Sequence, residues 1–141
     1  MRFIKILKLN LLLILLCNNL YAKTDYFNEG FDLFQKKNFD KAKFKFEQDL
    51  VFNPKNEKSY LYLSKIFNIQ KKIKLEETNL ESVILLNPKN EEALYSLAKL
   101  RLKESDYIES SKLIERLLPF CKNYCEKSKK LKREIDSSTK K

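Results

Sequence analysis

The chain has no histidine and no tryptophan, and only one glycine, three prolines and three cysteines in 141 residues. Each scarcity excludes something. Without histidine a His-based catalytic triad is impossible, and a zinc site loses its commonest nitrogen ligand. So few glycines and prolines cannot punctuate an all-β chain, which needs turn residues at short intervals. No Gly-rich phosphate loop, nucleophile elbow or metal-ligand spacing is present. Paired carboxylates at Glu76/Glu77 and Glu91/Glu92 stand at helix starts, where the helix dipole accounts for them. No enzymatic activity, cofactor or metal ion is therefore expected.

What is present favours helix. Lys, Glu, Leu, Ile and Asn dominate, a bias matching an AT-rich, bacterial coding sequence, so part of the positive charge is compositional drift. The formal net charge is +10. Arg2, Lys5 and Lys8 account for three of these charges, which leaves +7, enough to attract acidic partners at modest salt.

Those three residues open a segment with the zones of an export signal. They form a positive n-region, Leu9–Leu16 an apolar h-region, and Asn18, Asn19 and Tyr21 a polar c-region ending at Ala22. The apolar run is about half the ~20 residues needed to cross a bilayer. Residues 1–22 are thus expected to be a signal peptide, and the mature chain to be exported and periplasmic. Cys17 leaves an alternative open: lipidation at this residue would anchor the protein to the membrane. Leu16, where a lipidated cysteine normally follows a small residue, favours cleavage after Ala22.

Internal repetition governs the rest. Asn-Pro-Lys-Asn occupies 53–56 and again 87–90, a spacing of 34. Both copies follow an apolar run and precede Glu and an apolar segment of helical period. Asn56 and Asn90 suit N-caps, and Pro54 and Pro88 end the preceding helices. Asn38 is expected to cap a helix over Phe39–Phe52, and Ser105 one over Asp106–Leu118. In these features the chain resembles the tetratricopeptide repeat family, as a small exported bacterial member. The resemblance divides it into units 23–56, 57–90 and 91–124. Its residues are Tyr26, Gly30, Ala42, Phe46 and Pro54; then Tyr60, Leu63, Ser64, Phe67, Leu80, Val83 and Pro88; then Leu94, Leu97, Ala98, Ser110, Ile114 and Leu117. Glu29, Glu76 and Pro119 depart from the pattern, and Glu76, standing where Ala is usual, is expected to loosen the second hairpin or shift its second helix. The implied fold is all-α: three stacked antiparallel helical hairpins, an α-solenoid, with a C-terminal capping helix in 125–141. The capping pattern runs over Asn123–Asp136, with a basic tail of Lys127, Lys129, Lys130, Lys132 and Arg133, and Ser137–Lys141 are expected to fray.

The resemblance also implies a function, that of a scaffold holding a peptide segment of another polypeptide, here an envelope protein, in a concave groove. The family's groove positions fall on Phe27, Phe31, Phe34, Leu61, Lys65, Asn68, Tyr95, Lys99 and Leu102. The first helix is aromatic nearly all round, more than one core-facing stripe requires. Phe27, Phe31 and Phe34 are thus either groove anchors or partners for one another. Lys65 and Lys99 share a repeat position and are either one wall for an acidic peptide or two solvated lysines. An alternative function is a lipid-anchored or structural accessory subunit of an envelope assembly, docked by its outer face or basic tail. Nucleic acid is not expected, because export and the lack of interleaved aromatics disfavour it; weak contact of the tail with a membrane surface remains open. Cys121 and Cys125 are disulfide candidates in an exported chain. A continuous helix would hold their Cα atoms about 6 Å apart with parallel side chains, which suits closure badly. Pro119 and Asn123 loosen that turn, so pairing and two separate thiols both stay open.

Overall fold

Seven α-helices and a short 3-10 turn run through residues 25–139, the part of the chain that the computed structural model describes. The expected signal peptide 1–22, Cys17 within it and Lys140–Lys141 lie outside the described residues. The helices are α1 (Tyr26–Gln35), α2 (Phe39–Phe52), α3 (Glu57–Ile69), α4 (Ile73–Leu86), α5 (Glu91–Lys103), α6 (Tyr107–Leu117) and α7 (Cys125–Ser138). They pair as hairpins α1–α2, α3–α4 and α5–α6. Each hairpin packs on the next, and α7 lies against α6 and α5.

The hairpin turns show the repeat in the backbone. Lys37, Lys71 and Ser105, each 34 residues after the last, all have positive φ, near 60°. Behind each, the amides of Asn38, Lys72 and Asp106 reach the carbonyls of Leu33, Phe67 and Arg101 at 2.9 Å. This is a Schellman closure, in which a left-handed residue lets the chain satisfy carbonyls the helix end leaves bare. It also corrects one cap. Ser105 is occupied as the left-handed residue, so Asp106 caps α6, accepting from the Glu109 amide at 3.1 Å. Asn38 stands at the start of α2 but makes no side-chain capping bond, whereas the Asn56 and Asn90 side chains accept from Lys58 and Ala93.

The core forms two adjoining clusters. Ala42, Phe46, Leu63, Ile66 and Phe67 fill the first two hairpins. Leu80, Val83, Leu94, Leu97, Ile114, Leu117, Leu131 and Ile135 belong to a second cluster joining hairpins two and three to α7. Burying each large side chain is worth roughly 2 kcal/mol. The α7 stripe of Ser128, Leu131 and Ile135 is what closes the stack. Gly30 lets α1 and α2 approach closely, since a Cβ there would lie 2.9 Å from the Phe46 ring.

One sequence expectation changes here, and one open alternative closes. Glu76 does not displace α4; its side chain is buried and Asn68 Nδ2 donates to it at 2.8 Å. The chain around the two cysteines is not a continuous helix. After the 3-10 turn Leu118–Phe120, Cys121 is extended (φ −60°, ψ 145°), and α7 begins at Cys125 rather than Asn123. That break brings the Cα atoms to 5.3 Å and the two sulfurs are bonded. Glu91 pins the loop within the disulfide, accepting from the amides of Lys122, Asn123 and Tyr124 at 2.8, 2.8 and 3.0 Å. Desolvation opposes its ionisation, but the three amide donors outweigh that and hold its carboxyl below the usual range.

Candidate functional site

Because α1, α3 and α5 are the first helices of their hairpins, side chains at the same repeat position line up across the stack. Between them lies a cavity of about 370 Å³. Phe34, Tyr95 and Leu100 supply apolar wall, Ser64, Ser96 and Asn68 hydrogen-bonding groups, and Lys65, Lys99 and Lys103 positive charge. Glu76, from α4, also lines it. Ala42 and Ser110 hold the same repeat position in the other hairpins and are fully buried. The longer Glu76 side chain instead extends into the cavity wall, where its only hydrogen-bond partner among the described residues is Asn68. Burial pushes its carboxyl above the ordinary range, against the Asn68 bond and the Lys103 and Lys99 charges, which pull it down.

A second cavity of about 560 Å³ adjoins the first and shares Tyr95, Lys99 and Lys103 with it. Leu102 and Tyr107 continue it, and α7 closes it with Lys127, Lys130, Leu131, Glu134 and Ser138. These α7 residues recur at helical spacing and share one face. Tyr124 packs on Tyr95 with ring centroids 5.3 Å apart. Its phenol is pushed up to about 12, chiefly by burial, with the Glu92 carboxylate adding to the effect.

Of the nine groove positions read from the sequence, Phe34, Lys65, Asn68, Tyr95 and Lys99 line the first cavity and Leu102 the second. Phe27 lines a separate polar recess with Asp25, Asp49 and Asn56, while Phe31 and Leu61 line neither cavity. The aromatic surplus on α1 is largely consumed inside the protein. Tyr62 of α3 sits among the rings of Phe27, Phe31, Phe34 and Phe46 at 5.9, 5.4, 5.1 and 5.3 Å. Such edge-on and stacked pairs are favourable beyond their buried area. Replacing Phe31 and Phe34 would therefore disturb packing as well as surface. Lys65 is also engaged, with Nζ 2.9 Å from Glu92 and 4.6 Å from the Tyr62 ring centroid. Lys99, Lys103 and Lys130 form no ion pair among the described residues.

Sequence reading missed Glu76, Lys103, Lys127 and Lys130 as site residues. Glu76 announced itself as a departure from the repeat. Lys103 follows Lys99 by one helical turn. The two α7 lysines were legible only as members of the basic tail, since their place at the cavity depends on how the capping helix crosses α5.

No family model matches the sequence, and none of the curated proteins does. Solved structures do match. The first TPR of Spaghetti (RPAP3) bound to the HSP90 peptide SRMEEVD has 19% identity and a TM-score of 0.73, with 82% of this chain and 91% of that one covered. The Yersinia enterocolitica type III secretion chaperone SycD in complex with a peptide of the translocator YopD has 13% identity and a TM-score of 0.69, covering 81% and 89%. The Sgt2 TPR domain from Aspergillus fumigatus has 17% identity and a TM-score of 0.69, covering 82% and 80%. With three stacked hairpins at a 34-residue period, a capping helix and these structural likenesses, the described residues have the tetratricopeptide-repeat fold.

Proposed function

We propose that this protein is an interaction module that holds a segment of another polypeptide across the faces of α1, α3 and α5. The observation that carries the reading is the cavity where these three helices meet, which combines aromatic and aliphatic wall with amide, hydroxyl and ammonium groups. Apolar surface with a few convergent polar groups is what a peptide-binding groove requires. Two fold neighbours described with bound peptides, an HSP90 peptide and a YopD peptide, support it. We place the partner in the cell envelope, on the strength of the signal-like pattern in residues 1–22.

The test is a display selection of peptides against the full chain, followed by nuclear magnetic resonance titration of the selected peptide. Shifts concentrated at Asn68, Tyr95, Ser96 and Lys99 support the reading. A selection that yields no peptide, or shifts confined to the outer helices, overturns it.

One observation favours the second reading, an accessory subunit docked by its outer face. Val51 and Leu85 share a repeat position on α2 and α4 and are 76% and 83% exposed, and Phe44 on α2 is exposed as well. Exposed apolar side chains in a row suit a protein contact. Shifts confined to these residues would select this reading instead.

A further inference from the structure

We infer that the capping helix α7 is part of the binding site, and that together with α5 it selects an acidic segment of the bound polypeptide. The inference rests on the polypeptide-binding reading above and names the chemistry of the partner.

The charge distribution carries it. The second cavity has four ammonium groups, from Lys99, Lys103, Lys127 and Lys130, against one carboxylate, Glu134. The first has three, from Lys65, Lys99 and Lys103, against Glu76, and Lys65 is already paired with Glu92. Positive charge thus accumulates toward α7. On the opposite side of α7 the lysines are satisfied within the protein. Lys129 lies 3.0 Å from Glu126 and Lys132 lies 3.1 Å from Glu115. Among the described residues, the helix turns its paired lysines outward, beside an unpaired Arg133, and its unpaired Lys127 and Lys130 into the cavity. Like charges facing one another across a cavity repel, and a guest of opposite charge relieves that repulsion.

The cavity walls decide what kind of anion fits. Tyr95, Leu102, Tyr107 and Leu131 lie between the lysines. A guest presenting carboxylates alternately with apolar or aromatic side chains matches both. A lipid surface is flat and would meet the outward face of α7 rather than a recess walled by three helices. Glu76 sets the other limit, because its buried carboxyl in the first cavity makes that end the less favourable for a ligand carboxylate.

The experiment measures fluorescence anisotropy of a labelled peptide of repeating Asp-Glu-Leu-Phe units against the full chain, at low and at physiological ionic strength. A scrambled basic peptide of Lys-Arg-Leu-Phe units is the comparison. The expected result is binding of the acidic peptide that weakens with salt. K127E/K130E should weaken it at least about tenfold, as should K99E/K103E. K129E/R133E makes the same charge change on the outward side of α7 and should alter binding by less than about threefold. K127Q/K130Q, which removes charge without reversing it, should fall between, and it serves in place of the reversal if circular dichroism shows that α7 has unfolded. Equal loss in the inward and outward variants overturns the inference, leaving only general electrostatic attraction. So does preferential binding of the basic peptide, or charge-reversal effects that appear with phosphatidylglycerol vesicles and not with peptide. The two failures are separable. If a selected neutral or basic peptide maps to Tyr95 and Lys99, the polypeptide reading stands and only the acidic preference falls. If no peptide of any charge perturbs those residues, both fall.

Discussion

Replacing Gly30 with alanine tests the packing logic of the first hairpin. The added methyl would lie 2.9 Å from Cδ1 and Cε1 of Phe46 and 3.2 Å from Cβ of Lys45. Ordinary carbon contacts are about 3.5–4.0 Å, so something must move. Phe46 has no room, being fully buried and stacked on Tyr62 at 5.3 Å. Overpacking of this kind costs about 1–3 kcal/mol. The gain in helix propensity from Gly to Ala returns about 1 kcal/mol, so G30A should destabilise by about 0–2 kcal/mol. The other hairpins indicate the compensating change. At the registers of Gly30 and Phe46 they carry Ser64 with Leu80 and Ala98 with Ile114, a larger residue on the first helix and a smaller one on the second. F46L alone should leave a void and cost about 1–2 kcal/mol. In G30A/F46L the methyl enters the space the ring vacated, so the pair should cost less than the sum by about 1 kcal/mol. Urea unfolding followed by far-ultraviolet circular dichroism measures all four proteins. Strict additivity, or a G30A protein more stable than the parent, would refute the steric account.

Glu76→Gln should stabilise the protein at neutral pH. A carboxyl whose folded-state pKa is raised favours folding most below its ordinary value of 4.5 and loses that contribution as pH rises through the folded value. The thermal-midpoint advantage of E76Q should therefore vanish toward acid; an equal advantage at all pH values would contradict it. Replacing both Cys121 and Cys125 by serine should cost about 2 kcal/mol, the loop-closure value for so short a separation. Helical signal should survive, because Glu91 and the Leu131/Ile135 stripe still hold α7; calorimetry checks the cost and far-ultraviolet circular dichroism the helical signal. Lys37→Gly, Lys71→Gly and Ser105→Gly should each stabilise by about 0.5–1 kcal/mol by relieving left-handed backbone. A loss in any of the three would show that the turn is not limited by its φ angle.

How far the sequence could be read depended on whether a feature was local or tertiary. The spacing of Asn53 and Asn87 implied the hairpins, and the Phe39–Phe52 helix lies where its pattern placed it. Caps were less legible, because Ser105 and Asp106 are both good capping residues and only the Schellman closure decides between them. The phenylalanines of α1 were conspicuous, but their destination depended on Tyr62 arriving from α3. Glu76 stood out as an anomaly without revealing that its side chain borders a cavity. Lys127 and Lys130 looked like any lysines on a basic helix. Their place at the second cavity follows from α7 folding back across α5, and no short-range pattern encodes that crossing.

The central claim is that another polypeptide lies across the inner helices. Site-specific photo-crosslinking in the native host tests it most directly, with a photoreactive residue placed either at Lys99, exposed at the junction of the two cavities, or at Leu85, exposed on the outer face of α4. The account predicts a discrete adduct with one polypeptide from position 99, competed by the selected peptide, and none from position 85. Adducts from position 85 alone, or an adduct at 99 that the peptide fails to displace, would contradict it.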